Sequence, residues 1–223
     1  AAERAVEFVE AGMVLGLGTG STAAFVIEAL ARRVAQGLSV VAIPTSEHTA
    51  EAARRLGIPL ATFGEHRRID LAIDGADEVE RGTLNLIKGH GGALLREKIV
   101  AAASARFVVV VDDEKLVDRL GERFPIPVEI VQFGWQATAA ALERIGTRPE
   151  LRQTDGRAFV TDGGNFILDC PFASIPQPER LEQAINMTVG VVENGLFLGR
   201  STAVIVASER GVETISPRGG DPA

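Results

Sequence analysis

The run Phe107-Val108-Val109-Val110-Val111 leaves this chain few options. It has no polar alternate, so both of its faces must be buried. Continuous apolar strands of that kind belong to parallel sheets covered by helices on both sides. Similar runs stand at 13–17, 38–43 and 69–73, and stretches compatible with helices fall between them. Residues 3–11 read as a short amphipathic helix. A long helix is expected from the glycines at 16–20 to about residue 35. Ser46 is placed to cap a helix through Leu56, which Gly57 would end. A short strand is expected at 58–62, and another run at 84–87 leads into a helix that reaches about Ser104. Strand alternating with helix predicts an α/β fold with a parallel sheet.

The pattern changes near Gly121. Phe124-Pro125-Ile126-Pro127 reads as a joint. Beyond it, strands are expected at 128–131, 150–153, 158–161, 166–169 and 190–193, with helices at 135–145 and 179–186. That order suggests a small α+β unit built on an antiparallel sheet. Apolar runs at 203–207 and 212–215 are expected to return to the first sheet, and 219–223 to form a frayed tail.

Composition narrows the function. The chain has 23 basic and 30 acidic side chains, a net charge of −7, which argues against a general nucleic-acid binder. One cysteine excludes a disulfide framework and a cysteine-rich zinc site. Tyrosine is absent. No apolar run reaches the ~18 residues of a membrane span, and no leader pattern is visible, so a cytoplasmic protein is expected. Lysine occurs only at 88, 98 and 115, and arginine supplies every other basic residue. A compact ammonium and a planar guanidinium are not interchangeable where a point charge is needed.

Loops at the carboxyl ends of parallel strands are where open α/β sheets bind ligands. Gly18-Thr19-Gly20-Ser21-Thr22 offers hydroxyls and free N–H groups at a helix start, as an anion site does. It reads equally as a tight turn with Ser21 as N-cap. The glycine spacing and the missing acidic residue do not fit a dinucleotide fingerprint. Asp74-Gly75-Ala76-Asp77 brings two carboxylates to one turn. They suit hydroxyl binding, proton transfer or a divalent metal, though the metal reading lacks further ligands, and a solvated turn is the plain alternative. The stretch from Lys88 through Gly89-His90-Gly91-Gly92 to Glu97-Lys98 sets a lysine before a helix and a carboxylate inside it. Glu97 is a candidate general base, or else a surface residue of a charged run. Lys115 follows the valine strand. His48 and His66 have no matching partners, so neither a histidine triad nor a zinc site is supported.

Taken together, GLGTGSTA (16–23), DGADE (74–78), KGHGGALLREK (88–98), DDEKLV (112–117), FPIPVEI (124–130), TDGGNFILD (161–169) and VVENGLF (191–197) resemble the A-type ribose-5-phosphate isomerases along the whole chain. The resemblance implies a Rossmann-like parallel sheet domain over 1–122 and 198–223, with a smaller α+β domain inserted at 123–197. It implies interconversion of ribose 5-phosphate and ribulose 5-phosphate in the pentose phosphate pathway, without metal or other cofactor. The expected partner is a small sugar phosphate, with no nucleic acid and no membrane, in a homodimer or dimer of dimers. Substrate contacts are implied for Thr19, Gly20, Ser21 and Thr22, for Asp74, Gly75, Ala76 and Asp77, for Lys88, Gly89, His90 and Gly91, and for Lys115. Glu97 falls on the family's proton acceptor; the chemistry of an enediolate reaction then suits Lys88 to the oxyanion and Asp74 or Asp77 to the ring and chain hydroxyls. A basic phosphate contact used by some relatives would lie before Ala1. A sugar-phosphate sensor lacks its helix-turn-helix here. An amino-sugar phosphate deaminase is the enzyme alternative, told apart by ammonia release.

Overall fold

A computed structural model describes residues 1–172 and 174–217 of the chain. The expected tail at 219–223 lies outside the described residues. In chain order the first elements are α1 (Ala2–Val6), β1 (Val14–Leu17), α2 (Ser21–Ala35), β2 (Val41–Pro44), α3 (Glu47–Arg55), β3 (Ile69–Asp74), β4 (Glu78–Glu80) and β5 (Leu86–Ile87). They are followed by α4 (Leu94–Ala103), β6 (Ser104–Asp112), a 3-10 turn (Asp113–Lys115), β7 (Leu116–Val117), β8 (Ile126–Ile130) and α5 (Trp135–Glu143). The rest are β9 (Glu150–Leu151), β10 (Gln153–Thr154), β11 (Arg157–Ala158), β12 (Phe166–Cys170), α6 (Pro178–Asn186), β13 (Val191–Asn194), β14 (Leu196–Phe197), β15 (Ala203–Ser208) and β16 (Gly211–Ile215).

The main sheet has six strands in the order β16-β15-β6-β3-β1-β2. All pairings are parallel except β15 with β16, an antiparallel edge. Alternate residues feed two cores, as a period-two strand requires. Leu15, Leu17, Leu71, Ile73, Val108, Val110 and Ile205 face α1, α2 and α3. Ala72, Phe107, Val109, Val111, Val204 and Val206 face the other side, with Val100 and Ala101 of α4 and Phe197. Fully burying one such Leu, Ile or Val side chain contributes about 1.5–3 kcal/mol. Helix α2 meets its face through Ala23, Val26, Ile27 and Leu30, spaced three and four apart. The expected α/β fold with a parallel sheet is therefore present.

Two four-stranded sheets and the two-stranded β10-β11 pair make up the rest. One has the order β13-β8-β12-β9 and is antiparallel throughout, with its own core of Ile126, Val128, Ile130, Leu142, Leu168 and Ile185. The other, β14-β5-β4-β7, gathers four strands of two or three residues each.

Several expected elements differ. Residues 84–87 do not extend the main sheet: Leu84 turns with φ 56°, and only β5 pairs, in the small mixed sheet. The strand expected at 58–62 is one parallel bridge, Leu60 to Ala42. The helix expected at 3–11 ends at Val6. The 150–153 strand is split between β9 and β10, and β10 pairs with β11 in a hairpin turned at Asp155 and Gly156. Strand β8 begins at Ile126, before Pro127, whose carbonyl accepts from Gly195 N–H at 2.8 Å. Among the described residues no helix is long and apolar enough to cross a membrane.

Candidate active site

The two glycines nearest the first strand are needed for contact. A Cβ on Gly16 would stand 2.4 Å from Val100 Cγ1, so its absence lets α4 settle on the sheet. A Cβ on Gly18 would stand 1.9 Å from Asp74 Oδ1. Asp74, the last residue of β3, fills that space. Its Oδ1 accepts from Thr19 N at 3.1 Å and Gly75 N at 2.8 Å. Gly20 occupies the N-cap position of α2 with no side-chain cap, and Ser21 is the first helical residue, so the Ser21 cap does not form. Thr19 Oγ1 instead lies in a hydroxyl cluster with Thr45 at 2.7 Å, Ser46 at 2.9 Å and Thr49 at 3.2 Å. Ser46 does cap α3, accepting from Thr49 N.

Lys88 follows β5 and is 3% exposed. Its backbone N–H donates to Gly195 O at 2.9 Å, and a Cβ on Gly195 would meet Lys88 O at 2.2 Å. Its Nζ donates to Gly75 O at 2.7 Å, lies 2.9 Å from Asp74 Oδ2 and 3.3 Å from Glu97 Oε2, and stands 5.5 Å from the centre of the Phe197 ring. Glu97 sits in the first turn of α4 and is 4% exposed. Its Oε2 contact with Lys88 does not make a hydrogen bond, so this buried oxygen has no hydrogen-bonding partner. The reading of Glu97 as a surface residue is thereby excluded.

Burial pushes the Glu97 carboxyl up to about 8; Lys88 opposes that rise, and Asp74 and Asp77 add to it. Burial also raises Asp74, against the pull of Lys88 and the N–H groups of Gly75 and Thr19. Burial alone would lower Lys88, but Asp74 and Glu97 more than offset it and hold the ammonium charged. Two carboxyls sharing one cation titrate as a unit.

Asp77 is half-buried, and its Oδ2 accepts from His90 N at 2.9 Å. The ring of His90 meets Phe124 edge-on at 5.4 Å, and Lys115 Nζ lies 4.7 Å from the centre of the same ring. One cleft is lined by Thr19, Gly20, Ser21, Thr22, Gly75, Ala76, Asp77, Lys88, Gly89, His90, Gly91, Glu97 and Lys115. The structure thus brings together most of the residues singled out in the loops. Asp74 stands behind the cleft wall, against Lys88. Lys98 points away from the cleft, to Glu193 at 2.8 Å and Glu182 at 3.6 Å.

Sequence reasoning missed three supports. Glu78, wholly buried, accepts from the N–H groups of Gly121 at 2.7 Å, Arg123 at 2.6 Å and Phe124 at 2.8 Å, and so seats Phe124. Gly195 holds the Lys88 backbone. Arg152 grips the glycine loop from the antiparallel sheet. The Glu78 carboxylate is the last letter of DGADE, but nothing local says that its partners lie more than forty residues away. Among the described residues no group of three His, Cys, Asp or Glu side chains is placed to hold a metal ion.

A Rossmann-like sheet whose carboxyl-end loops close on a buried lysine between two carboxylates defines an α/β protein with an acid–base site. The chain belongs to the ribose 5-phosphate isomerase A (phosphoriboisomerase A) family, whose model matches residues 41–211. It is 61% identical over 217 residues to a ribose-5-phosphate isomerase A of Gloeobacter violaceus, covering 97% of this chain and 94% of that one. A Gluconobacter oxydans relative of the same name is 58% identical, covering 97% and 95%. The solved ribose 5-phosphate isomerase A of Methanocaldococcus jannaschii superposes with a TM-score of 0.92 at 44% identity, covering 96% of each chain. A D-ribose-5-phosphate isomerase solved with phospho-erythronic acid gives 0.93 at 40%, covering 96% and 95%.

Proposed function

We propose that this protein interconverts D-ribose 5-phosphate and D-ribulose 5-phosphate through an enediolate, with Glu97 as the general base. The observation that carries the reading is Glu97 itself. It is a buried carboxyl whose Oε2 makes no hydrogen bond, held at the cleft 3.3 Å from the Lys88 ammonium and raised to about 8. A base with its pKa near the working pH transfers protons best.

In this reading the open-chain sugar lies across the cleft with C1 and C2 against Glu97. The carboxylate takes the proton from C2, and the electron pair moves toward the carbonyl oxygen to give the enediolate. The resulting carboxylic acid returns the proton to C1, while the proton of the C2 hydroxyl passes to the oxygen on C1, leaving the carbonyl at C2. Charge develops on the sugar oxygens beside the Lys88 ammonium, which burial keeps dry and therefore effective. Asp74 is occupied by Lys88, Thr19 and Gly75 and fixes the ammonium. Asp77 faces the cleft and takes the sugar hydroxyls, including that of the closing ring. The α2 N-terminus with Ser21 and Thr22, together with Lys115, offers N–H groups, hydroxyls and positive charge for the phosphate. The backbone and side chains of Gly20, Gly75, Ala76, Gly89, His90 and Gly91 complete the wall.

The same reading includes a catalytic unit of 1–122 and 198–223 with 123–197 inserted, a homodimer or dimer of dimers, and a cytoplasmic place in the pentose phosphate pathway. The separate antiparallel sheet supports the division, and exposed Phe133, Met187 and Val189 support self-association. The Lys88 ammonium occupies the position between Asp74 and Glu97 where a cation would sit, which supports a reaction without metal. Ribulose 5-phosphate formed from ribose 5-phosphate, at equal rates with and without EDTA, is the expected result. No ketose formed, or activity lost to EDTA and restored by a divalent metal, would count against it.

A further inference from the structure

Arg152 lies outside the cleft, after β9, yet reaches its wall. Its backbone is tied into the antiparallel sheet, with N–H to Ile167 O and carbonyl to Phe159 N, both at 2.9 Å. Its side chain is 11% exposed. Nε donates to Asp169 Oδ2 at 2.9 Å, and Nη2 pairs with Asp169 Oδ1. Nη1 is left for the glycine loop, where it donates to Gly89 O at 3.0 Å and His90 O at 2.8 Å. The Gly89–His90 peptide is therefore held at both ends. Its oxygen faces Arg152, and its N–H donates to Asp77 Oδ2 at 2.9 Å. Carbonyl and N–H point in opposite directions across a planar trans peptide. One rigid unit thus connects a cation behind the wall to a carboxylate in the cleft. Hydrogen bonds to ionised groups are the stronger kind, and bonds in series polarise one another.

We propose that Arg152 is a positioning residue for the isomerisation: oriented by Asp169, it fixes the Gly89–His90 peptide and through it the carboxylate of Asp77. The proposal rests on the reading that Asp77 takes the sugar hydroxyls. The chemistry calls for arginine. A planar fork engages a carboxylate with two nitrogens and still serves two carbonyls with the third, whereas an ammonium is a single point. The antiparallel sheet is then part of the site, because it carries both Arg152 and Asp169.

The test uses the full chain with ribose 5-phosphate, reading kcat and KM beside thermal unfolding. Arg152→Gln is expected to lower kcat/KM by roughly 10- to 100-fold, the scale of a small misplacement of a substrate-contacting group. Arg152→Lys is expected to recover only part of that. In an Asp77→Asn background, Arg152→Gln should cost less than about threefold, because its route to the substrate is already cut. Should Arg152→Gln fold poorly, Asp169→Asn keeps the guanidinium, loosens its fork and should show the same dependence on Asp77. A wild-type protein that does not isomerise ribose 5-phosphate sinks the underlying reading. A wild-type that does, with Arg152→Gln within about twofold of it or with losses that multiply in full with Asp77→Asn, overturns the positioning role alone.

Discussion

Lys88 Nζ and Glu97 Oε2 lie 3.3 Å apart at the ends of two side chains that are almost wholly buried. Asp74 Oδ2 is 2.9 Å from the same nitrogen. Two carboxyls therefore share one ammonium, and they do not share it equally. Asp74 also holds two backbone N–H groups, whereas Glu97 Oε2 has no hydrogen bond. Burial raises both carboxyls, against the pull of Lys88, and takes Glu97 to about 8. The arrangement separates a fixed anion, a fixed cation and a group free to gain and lose a proton.

Glu97→Gln removes the proton acceptor and keeps the shape. The expected result is a fall in kcat on the order of 10³-fold, within the range of general acid–base contributions. KM should move little, because the cleft walls stay. Steady-state kinetics decide the matter, and a kcat within tenfold of the parent takes Glu97 out of the base role.

The same carboxyl sets two pH dependences of opposite sense. As a base it must be ionised, so kcat/KM should rise with pH through an apparent pKa near 8 that belongs to the cluster. For stability, the folded state keeps a proton that the unfolded chain releases near the ordinary 4.5. This favourable contribution is complete below about 4.5 and is lost as pH climbs to about 8. Thermal unfolding across that window should show Glu97→Gln gaining on the wild type as pH rises. A difference that stays flat from pH 4.5 to pH 8 contradicts the raised value.

Much of this was readable from the residues alone, for a local reason. The valine run states its own burial, and the alternation of strand and helix states a parallel sheet. Each loop motif carries its glycines and charged residues within a few positions, so the cleft residues could be picked before they were seen together. What was not readable depends on distant partners. Leu84 to Ile87 looks like a main-sheet strand because its apolarity is genuine, but it is buried in the small mixed sheet. Ser21 looks like a cap, yet Gly20 takes that position. Glu78 and Arg152 carry no local sign of their roles, because their partners lie in other parts of the chain.

Gly18 illustrates a spacing whose meaning changed. Gly18 reads in the sequence as the start of an anion loop, but it serves a contact, leaving room for Asp74 as Gly16 does for Val100. Gly18→Ala would set a methyl 1.9 Å from Asp74 Oδ1 and 2.2 Å from its Cγ. Overpacking of this kind costs about 1–3 kcal/mol. The carboxylate must move, and Lys88 with it. Activity should therefore fall much further than stability, by at least about 100-fold. Turnover retained at half the parent level, with the protein folded, shows that Asp74 need not be held in place.

Lys88 is one of only three lysines in a chain that otherwise uses arginine, and its surroundings say why. Its nitrogen fits among Gly75 O at 2.7 Å, Asp74 Oδ2 at 2.9 Å and Glu97 Oε2 at 3.3 Å, and the Phe197 ring closes the cage. A planar guanidinium is wider than that space and spreads its charge over three nitrogens. Lys88→Arg should therefore lose at least about 100-fold in kcat although charge is conserved, since the cation no longer sits beside the reacting oxygen. Lys88→Met should fail differently. It leaves Asp74 and Glu97 buried without a counter-charge, an effect on the order of 3–5 kcal/mol when one partner of a buried pair is removed. The carboxyls can escape part of that cost by taking up protons, more readily than in the parent because Lys88 no longer lowers their pKa, so the loss should grow toward alkaline pH and shrink toward acid. Urea unfolding of Lys88→Met at several pH values reads this directly. A destabilisation that grows toward acid would mean that the ammonium is not what allows these two carboxylates to be buried.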